Sequence, residues 1–170
     1  VAYLTRKYDA LAGIVISASH NPVEYNGIKF FNKDGYKLND NIQEKIEKII
    51  LNNEEIASRP IAESIGQTII EKEGSSHYMN HLMTTIKGDF EGIKIAVDCG
   101  NGALYKIGPE LLKKTKAEII VINDKPNGAN INVKCGSTNP SMIQSLVLET
   151  KADIGLSFDG DADRLIAVDE

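Results

Sequence analysis

From about residue 90 onward, short apolar runs alternate with amphipathic stretches, and this alternation limits the fold more than any other feature of the chain. The apolar runs lie near 92–98, 117–122, 153–158 and 165–168. They are too short for buried helices and read as strands. The order strand, helix, strand, loop, helix, strand, strand predicts an α/β fold with layered α/β/α domains and mixed, partly parallel sheets. Earlier strand-like runs fall near 12–17, 27–31 and 67–71. Helical spacing is clearest where Ile42, Ile46, Ile49 and Ile50 share one face after Asp40. Ser75 or Ser76 is a natural cap for a helix carrying Tyr78, Leu82, Met83 and Ile86. Pro109 suits the first turn of a short helix through Leu111 and Leu112. Asn139-Pro140 suits a cap and first residue, with Ile143, Leu146 and Val147 turned inward. Core packing accounts for these stripes. The stretches 52–66 and 88–92 read as loops or breaks.

Two of the predicted strands empty into chemically loaded loops. The run Leu11-Ala12-Gly13-Ile14-Val15-Ile16 is followed by Ser17-Ala18-Ser19-His20-Asn21-Pro22. A hydroxyl there stands at the exit edge of a sheet, where open α/β sheets place their ligands, although the same residues also make ordinary turns. The run Asp153-Ile154-Gly155-Leu156-Ser157-Phe158 is followed by Asp159-Gly160-Asp161-Ala162-Asp163-Arg164. Three carboxylates at alternate positions repel one another, and a tight turn that gathers them is tolerable when a hard cation such as Mg²⁺ sits between them. A solvated acidic turn is the plainer alternative. An EF-hand also opens with Asp-x-Asp-x-Asp, and Glu170 falls at the position of its closing ligand. Its sixth position should be Gly and is Arg164, and its flanks should be helices and read as strands, so the EF-hand is set aside. His77 and His81 have the i, i+4 spacing of a zinc pair, but no third ligand is evident and a solvated helix face fits better.

These segments together resemble the α-D-phosphohexomutase superfamily. The loop at 17–22 resembles its active-site serine motif, with Ser19 at the phosphorylated position, and the loop at 159–164 resembles its metal-binding motif. Asn26-Gly27-Ile28-Lys29-Phe30-Phe31 and Val97-Asp98-Cys99-Gly100-Asn101-Gly102-Ala103 fit at compatible spacing. Asn130-Ile131-Asn132-Val133-Lys134-Cys135-Gly136-Ser137-Thr138 is similar to the branch that acts on glucosamine phosphates. Two departures stand out. Ala162 occupies a position usually held by Gly, which costs about 1 kcal/mol if the backbone there has positive φ. Asn139 stands where the branch often has His.

The resemblance implies a four-domain parent. Residues 1–78 would be the later part of its first domain, and 79–170 most of its second, with Ser19 and the 159–163 loop facing each other across a domain interface. It implies a phosphotransferase that moves a phosphoryl group between the 6- and 1-oxygens of a hexosamine phosphate through a phosphoserine and a bisphosphate. Glucose and mannose phosphates are the alternative substrates, and a non-catalytic metal or sugar-phosphate binding module is the alternative class. The implied roles are Ser19 as carrier, Asp159, Asp161 and Asp163 with a Ser19 phosphate oxygen around Mg²⁺, and Lys29 on the hydroxyl proton. Arg164 would bind substrate, with a salt bridge to a neighbouring carboxylate as its alternative. Lys29 could instead be a surface lysine of a strand, and His20 a phosphate donor or a packed loop residue. This stretch alone would lack the sugar-reading and distal phosphate-gripping domains and is expected to be inactive.

Composition narrows the partners. A net charge of −5 disfavours general nucleic-acid binding. No apolar stretch approaches a membrane span. The two cysteines, Cys99 and Cys135, suggest no disulfide framework, which fits a cytoplasmic protein.

Overall fold

The computed structural model describes residues 1–52 and 59–169. Part of the expected 52–66 loop, residues 53–58, and Glu170 lie outside the described residues. The chain forms two compact units, Val1–Val15 with Lys29–Gly74, and Ile16–Ile28 with Ser75–Glu170.

The first unit is built on α1 (Ala2–Lys7), a two-stranded sheet of β1 (Ala12–Ile16) and β2 (Ile28–Asn32), and α2 (Asp40–Leu51). Thr5 is buried, its hydroxyl donating to the Val1 carbonyl, and Gly13 leaves it room. A turn at Asn32–Gly35 follows β2, with Gly35 at φ 80°. The side chain of Asn39 caps α2 by accepting from the Ile42 N–H. The Ile stripe of α2 is less buried than its spacing suggests: Ile42, Ile49 and Ile50 remain exposed, because two strands offer little area to cover a helix. The strand expected at 67–71 does not form. Ile69 and Ile70 are exposed in irregular chain, with no neighbouring strand among the described residues to pair their backbone.

The second unit follows the predicted order. Its sheet runs β4 (Glu118–Ile122), β3 (Lys94–Asp98), β5 (Ile154–Phe158), β6 (Leu165–Val168). The first three strands are parallel and β6 is antiparallel to β5. Alternate residues of β3 divide the core. Ile95 and Val97, with Cys99 just beyond, pack with Ala117 and the partly buried Leu112 of α4 (Leu104–Lys114). Ala96 packs on the other face with Ile143 and Val147 of α5 (Ser141–Thr150). Helices on both faces explain why the middle of β3, Ile95-Ala96-Val97, is apolar on both sides instead of alternating. Gly155 permits the close approach of α5, since a Cβ there would lie 2.7 Å from Val147 and 2.9 Å from Ile143.

Helix starts differ from expectation in three places. Pro109 lies inside α4, whose first turn begins five residues earlier, and its burial on the core side offsets the missing N–H. The helix α3 (Gly74–Met83) starts at Gly74, so Ser75 and Ser76 sit in its first turn. Pro140 is the N-cap of α5, one residue later than the expected Asn139. Both cysteines are free and buried. Burial, reinforced by Asp124 and Asp98, pushes the Cys99 thiol up to about 12, and burial with Asp98 pushes Cys135 up to about 11. Both are neutral packing groups at ordinary pH.

Candidate active site

The site forms within the second unit, at the carboxyl ends of the adjacent parallel strands β3 and β5. Asp98 closes β3 and is fully buried. Its Oδ1 accepts from Gly100 N–H at 2.9 Å and Asn123 Nδ2 at 2.9 Å, and its Oδ2 from Gly136 N–H at 2.8 Å and Ser157 Oγ at 3.4 Å. One carboxylate thus ties together the turn after β3, the 132–136 loop and β5. These bonds to a charged acceptor satisfy groups that would otherwise be buried unpaired.

The acidic loop begins at Asp159, directly after β5. Gly100 and Gly136, both at positive φ, close over the Phe158 carbonyl, and the Gly160 carbonyl accepts from the Ala103 N–H at 2.8 Å. The loop turns back through Ala162, whose N–H reaches the Asp159 carbonyl at 3.0 Å with φ at 59°. The position therefore does have the left-handed backbone that Gly adopts freely, and Ala bears a cost of about 1 kcal/mol.

This turn gathers the carboxylates. One oxygen from each of Asp159, Asp161 and Asp163 lies within 4.8 Å of the others. Ligand oxygens around an octahedral cation with bonds of about 2.1 Å are about 3 Å apart when adjacent and about 4.2 Å when opposite. The trio is thus at a spacing that a small closure converts into a shared hard-cation site. Burial is graded, from fully buried Asp159 to exposed Asp163. Asp159 is oriented by the Arg164 N–H on Oδ1 at 3.2 Å.

Ser19 meets this loop. Its Oγ donates to Asp159 Oδ2 at 2.7 Å and lies 3.5 Å from Asp163 Oδ1. Ser19 thus faces the acidic loop, but inside one compact unit and not across the expected domain interface, because Ile16–Ile28 groups with the later part of the chain. His20, next along, is half-buried, and its Nδ1 is buried with no hydrogen-bond partner among the described residues. The Arg164 side chain is half-exposed with Nε 3.8 Å from Asp163 Oδ1, the ion pair that was its alternative role. Lys29 lies on β2, half-buried, in the first unit.

Sequence reasoning assigned no role to Asp98, Ser17 or Asn132. All three lie in segments already singled out, Asp98 in the run at 97–103, Ser17 in the loop at 17–22 and Asn132 in the stretch at 130–138, but nothing local marked these residues within them. Gly160 is equally constrained: a Cβ would lie 2.6 Å from the Ser19 carbonyl, 2.7 Å from Ile131 Cδ1 and 2.9 Å from Asn132 Nδ2. Gly160→Ala is expected to destabilise the second unit by about 1–3 kcal/mol through overpacking, read as a lower midpoint in denaturant unfolding.

Comparison with known proteins accords with this geometry. Residues 1–57 match the family model described as phosphoglucomutase/phosphomannomutase, alpha/beta/alpha domain I, and residues 76–170 match domain II of the same family. A phosphoglucosamine mutase of Alkaliphilus metalliredigens is 62% identical over 169 residues, covering 99% of this chain and 38% of that protein. That of Clostridioides difficile is 55% identical over 170 residues, covering 100% and 38%. This chain therefore spans 38% of the length of such relatives. Among solved structures, a phosphoglucomutase/phosphomannomutase family protein of Burkholderia thailandensis aligns with a TM-score of 0.72 at 28% identity, over 93% of this chain and 33% of that one. Aspergillus fumigatus N-acetylphosphoglucosamine mutase, solved with GlcNAc-6P and magnesium, shares the fold at a TM-score of 0.54 and 19% identity, over 98% of this chain and 46% of its own. With one family model covering 76–170 and its companion 1–57, the chain belongs to the phosphoglucomutase/phosphomannomutase family.

Proposed function

We propose that the protein containing this chain interconverts glucosamine 6-phosphate and glucosamine 1-phosphate, supplying amino sugar for UDP-N-acetylglucosamine and cell-wall synthesis in the cytoplasm. The observation that carries this reading is the Ser19 hydroxyl, 2.7 Å from Asp159 beside three gathered carboxylates, in a chain 52–62% identical to proteins named phosphoglucosamine mutase. Residues 1–78 are assigned to the family's first domain and 79–170 to its second.

In this reading Ser19 carries the phosphoryl group. A free sugar hydroxyl attacks phosphorus, the bond from phosphorus to Ser19 Oγ breaks, and the hydroxyl proton ends on the departing Ser19 Oγ. The product is a sugar bisphosphate and a free serine. After the bisphosphate turns round, Ser19 Oγ takes its other phosphoryl group and the sugar monophosphate leaves. Lys29 is assigned to the hydroxyl proton, His20 to the serine phosphate, and Arg164 to substrate oxygens once its exposed fork leaves Asp163. Asp159, Asp161 and Asp163, with an oxygen of the Ser19 phosphate, would hold Mg²⁺. Such an ion, when bound, offsets charge on the transferring group. The oxygen-only donor set suits a hard cation and not zinc. Turnover belongs to the whole protein, because remote contacts that orient the sugar supply much of the rate.

Parallel assays of the full-length protein on glucosamine, glucose and mannose 6-phosphates with Mg²⁺ test the substrate. The expected kcat/KM is at least about tenfold higher for the glucosamine substrate. Equal or greater values for glucose or mannose phosphate would move the assignment to another member of the family.

A further inference from the structure

Ser19 adopts a backbone conformation that it does not favour by itself. Its φ is 56°, in the left-handed region where a Cβ crowds the following carbonyl. Two neighbours hold it there. The Ser19 N–H donates to Ser17 Oγ at 2.9 Å, and the Ser19 carbonyl accepts from Asn132 Nδ2 at 2.9 Å. Asn132 is itself fixed, since its N–H donates to the Gly100 carbonyl at 2.9 Å, and the Gly100 N–H donates to buried Asp98 at 2.9 Å. A line of hydrogen bonds therefore runs from the end of β3 through Gly100 and Asn132 to Ser19. The missing side chain of Gly160 leaves the space in which the Asn132 amide meets the Ser19 carbonyl. Asn suits this place for two reasons. Its φ is 57°, which Asn tolerates better than most residues, and its amide offers a donor at the required reach.

We propose that Asn132 is a positioning residue for phosphoryl transfer: by holding the Ser19 carbonyl, it locks the left-handed turn that aims Ser19 Oγ at Asp159 and Asp163. Relaxation of Ser19 to an ordinary extended backbone would swing its side chain away from the carboxylates, and transfer depends steeply on such placement. This inference rests on the carrier role proposed above for Ser19.

Asn132→Gly deletes the donor while keeping positive φ accessible. In the full-length protein, kcat is expected to fall about tenfold, the loss of one hydrogen bond of ordinary strength, with KM for the sugar phosphate and the Mg²⁺ requirement within about twofold of wild type. Ser17→Ala should give a similar loss, and the double variant should lose less than the product of the two, because both bonds hold one residue. Asn132→Asp keeps the shape but cannot donate, and it should lower kcat in the same direction if Asn132→Gly folds poorly. Unchanged kcat, or kcat, KM and melting temperature all shifting together, would overturn the inference. Ser19→Ala in the same assay separates the two readings. An inactive Ser19→Ala beside a fully active Asn132→Gly overturns only the positioning role, whereas an active Ser19→Ala overturns both.

Discussion

Ser19→Ala in the full-length protein is expected to reduce turnover to background while leaving the fold unchanged. The proposed reaction makes and breaks a bond at Ser19 Oγ in every cycle, and alanine has no atom to take its place. The backbone should not respond, because Ala accepts φ near 56° at about the same cost as Ser. Ser17 and Asn132 hold the residue through its N–H and carbonyl, which the substitution retains. The loss to stability is the single hydroxyl bond to Asp159, about 1 kcal/mol. The check is a steady-state assay with an activating sugar bisphosphate present, paired with thermal unfolding. Activity near wild type would remove Ser19 as the carrier.

Asp161→Asn should slow transfer by about a hundredfold or more and weaken Mg²⁺ binding by at least about tenfold, since a hard cation loses one anionic ligand at nearly constant shape. A control separates this from simple damage. Without metal the three carboxylates, gathered within 4.8 Å, repel one another, so removing one charge should leave metal-free stability unchanged or slightly raised. Saturating Mg²⁺ should raise the melting temperature of wild type and raise that of the variant less. A variant with unchanged rate and unchanged Mg²⁺ stabilisation would place the cation elsewhere.

Much of the second unit was legible because its signals are local. The runs at 94–98, 118–122, 154–158 and 165–168 are short, apolar and bounded, and they form strands in the predicted order. The Asp-x-Asp-x-Asp loop raised a candidate hard-cation site from charge repulsion, with a solvated acidic turn as its alternative, and the fold gathers one oxygen of each carboxylate within 4.8 Å of the others. What could not be read was tertiary. Ile69 and Ile70 look like strand residues, yet a strand needs a partner and none is present beside them among the described residues. Pro109 looks like a helix start because Pro is favoured there, but burial holds it at mid-helix. Asp98 reads as one more strand-end aspartate, and only the folded chain shows it tying Gly100, Asn123, Gly136 and Ser157 to one carboxylate. Asn132 lies 113 residues from Ser19, and its amide has no sequence neighbour to reveal its purpose. The positive φ of Ala162 is an intermediate case: the question was visible in the sequence, and the answer needed the backbone.

The most direct test of the account is the intact mass of the full-length protein, followed by mapping of any modification to a peptide. After incubation with Mg²⁺ and a glucosamine bisphosphate, the account predicts one added phosphoryl group on the peptide containing Ser19, absent from Ser19→Ala and discharged by excess glucosamine 6-phosphate. A protein that turns over at full rate with Ser19 unmodified throughout would contradict it.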